Sequence, residues 1–285
     1  MPTGTGETPL ASGRCDSSKR PTIFFSHGYG FGDPNAYHSL IEHWVSLGNI
    51  VVASDYNSAV LDLPVTFVQA DQGNVAAAAY EARIDTARVG FYGHSFGGGM
   101  TPYLLQQAAA RGWGTDALFG TSLDQAYTQW EGAGGPIEMP STARVFVINS
   151  DDDRFADARN GIDVFDSLTL PADRKAYIML HSDDHGVPAV DASHLAPIDL
   201  FGVGAVSYTL WRLSDILETC SLDTRRCDHD LSFAGTWSDG VPIKASDVSE
   251  SPVDAGPTPV ILAECTGPIA QLWNPRIAQC GPTHS

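Results

Sequence analysis

Lysine is scarce in this chain: only Lys19, Lys175 and Lys244 occur in 285 residues. With 34 acidic against 16 basic side chains, the formal charge is -18. Such a field repels polyanions, so nucleic acid and anionic membrane surfaces are poor partners. No run approaches 18 apolar residues, which speaks against a transmembrane helix and membrane insertion. The start, MPTGTGETPL, has neither a basic n-region nor an apolar h-region, so no signal peptide is read in it. There is no CxxC or paired histidine spacing for zinc, no EF-hand spacing for calcium and no internal repeat. GxGxxG and GxxxxGK[ST], the phosphate-cradling patterns, are absent too. A site free of metal and organic cofactor is therefore expected.

What is present points to one large α/β domain. At 43% hydrophobic the chain can bury a full core. Residues 1–18 are rich in Thr, Gly and Ser and read as a tail. Short apolar runs then alternate with helical patterns. PTIFF (21–25), IVVA (50–53), ARVGFY (87–92), DALFGTS (116–122), RVFVIN (144–149) and KAYIML (175–180) read as buried strands. Tyr37, Leu40, Ile41, Trp44 and Val45 recur at helical spacing, and further helices are expected at 73–82, 96–110, 155–168 and 198–218. Repeated βα units with fully apolar strands imply a mostly parallel sheet covered by helices on both faces. The catalytic domain is thus expected over 19–218. Residues 219–285 carry four of the five cysteines and read as a stapled extension packed on the core, with Cys220–Cys227 and Cys265–Cys280 as the simplest pairing among several. Paired cysteines favour an oxidising, extracellular home.

The segment FYGHSFGGGM (91–100) places Ser95 between a strand-like and a helix-like stretch, with Gly93 and Gly97 flanking it. That is the setting of a nucleophile elbow, in which the serine backbone is strained and glycines let neighbouring main chain pass. A serine needs a base, and the base needs an orienting acid. In this architecture the acid and then the histidine follow the serine in the chain. His185 and His194, in HSDDHGVPAVDASHLAP after the last expected strand, are the candidates that remain. His185 is the nearer to the strand end and is the expected base, with His194 as its competitor. Asp151, Asp152 and Asp153 follow the strand at 144–149, and Asp124 follows the one before it. Oxyanion donors are expected from the backbone of Phe96, the residue after the serine, and of Tyr29 in the HGYG loop after the first strand. Gly28, His94 and Asp124 are candidates to line the substrate cleft.

Four ordered blocks make the resemblance specific. RIDTARVGFYGHSFGGGM, SHGYGFG, VINSDDDRFA and KAYIMLHSDDHG, spread over residues 21–211, resemble the bacterial cutinase and polyester-hydrolase branch of the α/β-hydrolases. The resemblance implies an α/β-hydrolase fold and carboxylic-ester hydrolysis through an acyl-enzyme. By it Ser95 is the nucleophile, Asp153 the acid, His185 the base and Tyr29 an oxyanion donor. The substrate it implies is an ester, including polymeric esters, and a monomeric secreted enzyme is expected. The chain departs from the family where its tryptophan falls near Asp124, where Phe96 replaces methionine, and where the loop after His185 is longer. The short glycine-rich segment QAYTQWEGAGGPIEMPST leaves little room for a lid. Two rivals stand beside this reading: the same fold acting on amides or lactones, and an inactive domain used as a binding module.

Overall fold

The computed structural model describes residues 18–56, 63–126, 135–199 and 206–253. Among the described residues seven strands form one sheet: β1 (Arg20–Ser26), β2 (Ile50–Ala53), β3 (Ile84–His94), β4 (Ala117–Leu123), β5 (Arg144–Ser150), β6 (Lys175–Leu180) and β7 (Asp247–Ser249). Their order is β2-β1-β3-β4-β5-β6-β7. The first six are parallel and β7 pairs antiparallel to β6. All seven residues of β4 and of β5 are buried, as expected for central strands covered on both faces.

Side-chain alternation along the strands divides the core in two. Phe24 and Phe91 point to a cluster with α2 (Leu63–Tyr80), α3 (Phe96–Ala110) and α4 (Ala158–Ser167). Ile23, Phe25 and Tyr92 point the other way, to a cluster with α1 (His38–Ser46) and α5 (Val206–Leu222). Helix α2 begins at Leu63, well before the expected 73. Its β-branched residues and Gly73 obscure the helical pattern, and burial of Phe67 and Ala70 overrides them. The expected helix at 198–218 is a helix from Val206 to Leu222 among the described residues, and 194–197 form a turn.

The extension contributes more order than its loop-like composition implied. DVS within SDVSESPVDAGPTP forms β7 on the sheet edge. Cys220 and Cys227 are disulfide-bonded. Cys15, Cys265 and Cys280, all of the expected 1–18 tail but Ser18, and residues 127–134 of the glycine-rich segment lie outside the described residues.

Candidate active site

The chain leaves β1 toward β2 on one side and later returns to build β3 through β6 on the other. That reversal puts the ends of β1 and β3 side by side, at the switch point where open α/β sheets form their sites. The HGYG loop follows β1 and Ser95 follows β3, so topology alone brings them together.

Ser95 has φ 55° and ψ -118°, a left-handed conformation costly for a residue with a Cβ. The turn around it is built on close backbone approach. A Cβ on Gly93 would lie 2.1 Å from the Gly97 carbonyl oxygen, and one on Gly97 would lie 2.1 Å from that of Ser26. Gly97 N–H donates to the His27 carbonyl at 3.1 Å, tying the elbow to the HGYG loop. Pro102 inside α3 cannot donate to the Gly98 carbonyl four residues back. Ser122 Oγ donates to it instead, at 2.9 Å.

His194, not His185, completes the site. Its Nε2 lies 2.8 Å from Ser95 Oγ and its Nδ1 lies 2.7 Å from Asp153 Oδ2. The His194 and Asp153 side chains are only 7% and 2% exposed. A carboxylate accepts only, so Nδ1 carries the proton and Nε2 presents a lone pair to the serine hydroxyl. Asp153 is held in turn by the Phe155 and Ala156 amides, which donate to its Oδ1 at 2.7 and 2.9 Å.

The expectation for His185 fails because sequence distance is not spatial distance. Asp183 and Val190 exchange two backbone hydrogen bonds of 2.9 and 2.8 Å, closing the segment between them into a self-contained excursion. Ala192 thereby returns beside Ser182, whose Oγ accepts the Ala192 amide at 3.0 Å. The Asp152 amide donates to the Ala192 carbonyl at 3.1 Å. Asp199 then fastens the far end by accepting from Ser39 N and Oγ at the start of α1, both at 2.6 Å. His185 sits on the excursion, exposed, with Nε2 2.8 Å from Asp239 Oδ2 and its ring beside Trp237. The Asp239 carboxylate raises its pKa above the ordinary 6.5.

The remaining candidates divide. Tyr29 is 43% exposed, with its ring edge toward Phe96. Phe96 opens α3, so its amide belongs to the electropositive first turn. Gly28, His94 and Asp124, expected at the substrate cleft, are all buried, as Ser95 itself is. A Cβ on Gly28 would come within 3.4 Å of the Ser95 Cβ, so this loop touches the elbow. Asp124, at φ 44°, accepts from Ser150 Oγ at 2.9 Å on Oδ2, while Oδ1 has no hydrogen-bond partner among the described residues. Burial, reinforced by the Asp153 charge, pushes its carboxyl well above the usual carboxylate range. Asp151 pairs with His181 at 2.6 Å, and Asp152 is exposed. Polar ligand atoms of His94, Asp124 and His194 lie within 4.8 Å of one another, but both nitrogens of each histidine are already hydrogen-bonded.

Sequence reasoning missed two contributors. Phe155, 46% exposed, stacks on the His194 ring at 5.3 Å, and Tyr37 bonds His94. Tyr37, which caps the start of α1, was legible only as an apolar position at helical spacing, and no sequence pattern singles out Phe155.

The six parallel strands, the helices on both faces and the strained serine turn after β3 define an α/β-hydrolase fold. Among solved structures the chain is similar to the monoclinic form of an esterase from Pyrobaculum calidifontis, at 16% identity and TM-score 0.50, over 73% of this chain and 78% of that one. A second structure of a hyperthermophilic esterase from that archaeon gives 16% identity and TM-score 0.49, over 73% and 79%. No family model matches the chain, and no curated protein matches it.

Proposed function

We propose that the protein is a serine carboxylic-ester hydrolase working through an acyl-enzyme. The observation that carries this is the unbroken chain Ser95–His194–Asp153, with the imidazole hydrogen-bonded at both nitrogens. Ser95 Oγ attacks the ester carbonyl while its proton passes to His194 Nε2. Asp153 keeps His194 in the required tautomer and faces the imidazolium that forms. The amides of Tyr29 and Phe96 bind the oxyanion. As the tetrahedral adduct collapses, the leaving alkoxide takes the proton from Nε2. A water then repeats the sequence on the acyl-enzyme and frees Ser95.

The esterase from Pyrobaculum calidifontis that shares the fold favours esters over amides. A cutinase-like enzyme that also cuts polyesters is the finer reading, supported by the motif blocks around Tyr29, Ser95 and Asp153. Asp124, fully buried near the place where that family carries its tryptophan, offers no stacking surface there. The Cys220–Cys227 disulfide supports an extracytoplasmic home. The test is an organophosphonate probe with a panel of p-nitrophenyl esters and an aliphatic polyester film. Wild type is labelled at Ser95 and turns over the esters. Ser95→Ala is unlabelled and loses a thousandfold or more, roughly, in rate at unchanged melting temperature. A Ser95→Ala variant that keeps its activity refutes the assignment.

A further inference from the structure

His94 precedes the nucleophile and is almost wholly buried, 1% exposed, yet the reaction as written gives it no part. Its Nε2 lies 2.8 Å from the backbone carbonyl of His194. A carbonyl accepts only, so Nε2 carries the proton and, in a neutral ring, Nδ1 must accept. The Tyr37 hydroxyl, 2.8 Å from Nδ1, is the donor. The same hydroxyl accepts the Gly28 amide at 2.8 Å. The directions are therefore all determined: Gly28 N–H to Tyr37 oxygen, Tyr37 O–H to His94 Nδ1, His94 Nε2–H to the His194 carbonyl.

The two ends of this chain are the two halves of the site. Gly28 immediately precedes Tyr29 in the oxyanion loop after β1, and His194 carries the base on the loop after β6. These loops come from strands separated in the sheet by β3, β4 and β5. We propose that Tyr37 and His94 form one hydrogen-bonded strut between the oxyanion loop and the main chain of the catalytic histidine, and that this strut sets the spacing of oxyanion donors and base. It rests on the serine-hydrolase reading above. His94 and Tyr37 are positioning residues: they act through Gly28 and His194 and touch no reacting atom.

The surroundings suit a rigid connector. Tyr37 is fully buried and packs edge-to-face with Phe25, their ring centroids 4.7 Å apart. Burial raises its hydroxyl pKa and keeps it a donor. Burial, and then the neighbouring His194, hold the His94 pKa well below the ordinary 6.5. A neutral His94 adds no positive charge beside a His194 ring only 4.9 Å away, which must itself become an imidazolium during turnover.

The experiment uses Tyr37→Phe, which deletes one hydroxyl and keeps the packed ring, His94→Gln, and the double variant. Each is assayed for kcat and KM on p-nitrophenyl butyrate, and for affinity toward an alkylboronic acid, which forms a tetrahedral adduct on Ser95. Misplacing a catalytic half-site costs on the order of a hundredfold. Tyr37→Phe is expected to lower kcat by about ten- to a hundredfold, to weaken the boronate by a similar factor, and to leave KM within about twofold. The double variant is expected to be no worse than the poorer single one, because either change breaks the same strut. Unchanged kcat in Tyr37→Phe overturns the proposal, as does a kcat loss without a boronate loss, or additive losses in the double variant. Loss of activity only in proportion to loss of folded protein overturns it too. If wild type fails to react with the organophosphonate, the hydrolase reading has failed; if wild type is labelled and Tyr37→Phe keeps full kcat, only the strut has.

Discussion

Replacing His194 by alanine is the sharpest test of the site, because the sequence alone favours another histidine. The substitution removes two hydrogen bonds, 2.8 Å to Ser95 and 2.7 Å to Asp153. The serine then has no acceptor for its proton. In a nucleophile–base pair acting as a unit, losing either member costs about 10⁴- to 10⁶-fold in kcat, roughly 5–8 kcal/mol of barrier. Stability should fall far less. Asp153 keeps the Phe155 and Ala156 amides, so the fold loses about one hydrogen bond to a charged group, on the order of 1.5–3 kcal/mol. The assay is kcat/KM on p-nitrophenyl butyrate alongside a thermal melt, with His185→Ala in parallel. His185→Ala removes an exposed contact to Asp239 and is expected to keep most of the activity. An inactive His185→Ala with an active, folded His194→Ala would refute the assignment and the argument that the 183–190 excursion brings His194 home.

Asp153→Asn is expected to lower kcat by about 10⁴-fold by favouring the wrong imidazole tautomer, while Asp124→Asn, which mimics a protonated carboxyl, stays active in the same ester assay. Asp124 also predicts a pH effect. Its folded pKa is raised above the ordinary 3.8, so its contribution to stability is fully present below that value and declines as pH rises toward the folded pKa. Asp124→Asn should therefore gain melting temperature over wild type at pH 8 relative to pH 4, and no difference between the two pH values would contradict the upward shift of Asp124. The His185–Asp239 pair works in a bounded window. Asp239 is lowered from 3.8, so its share is present above that value and fades as pH falls through its folded pKa. His185 is raised from 6.5, so its share is present below 6.5 and fades as pH rises through its folded pKa. Limited proteolysis of the 227–249 segment should separate wild type from His185→Ala most between those values, least at high pH, and less in high salt. Gly97→Ala should fail to fold or lose most of its stability in a thermal melt, since its Cβ would meet the Ser26 carbonyl at 2.1 Å.

Most of the fold was legible because its information is local. The short apolar runs VFVI in β5 and AYIML in β6, and ALF at the start of β4, are the pattern of strands in a covered parallel sheet. Ser95 was legible for the same reason: strand, glycine, serine, glycine and helix form one contiguous turn, although the Ser26 carbonyl that Gly97 must clear comes from β1. Asp153 could be placed at a strand end, although its choice over Asp151 and Asp152 came from the motif and not from chemistry. Helix α2 and strand β7 were less legible, since packing of Phe67 in one and pairing with β6 in the other outweigh weak local preference. The base, the Tyr37–His94 strut and the burial of Gly28, His94 and Asp124 were decided only by tertiary structure. His185 and His194 share a loop and a residue type, and the nearer one in sequence is the farther from function. Two backbone hydrogen bonds between Asp183 and Val190 set that outcome, and their pairing depends on Trp237 and Lys244, which both donate to Asp183 from the distant C-terminal segment.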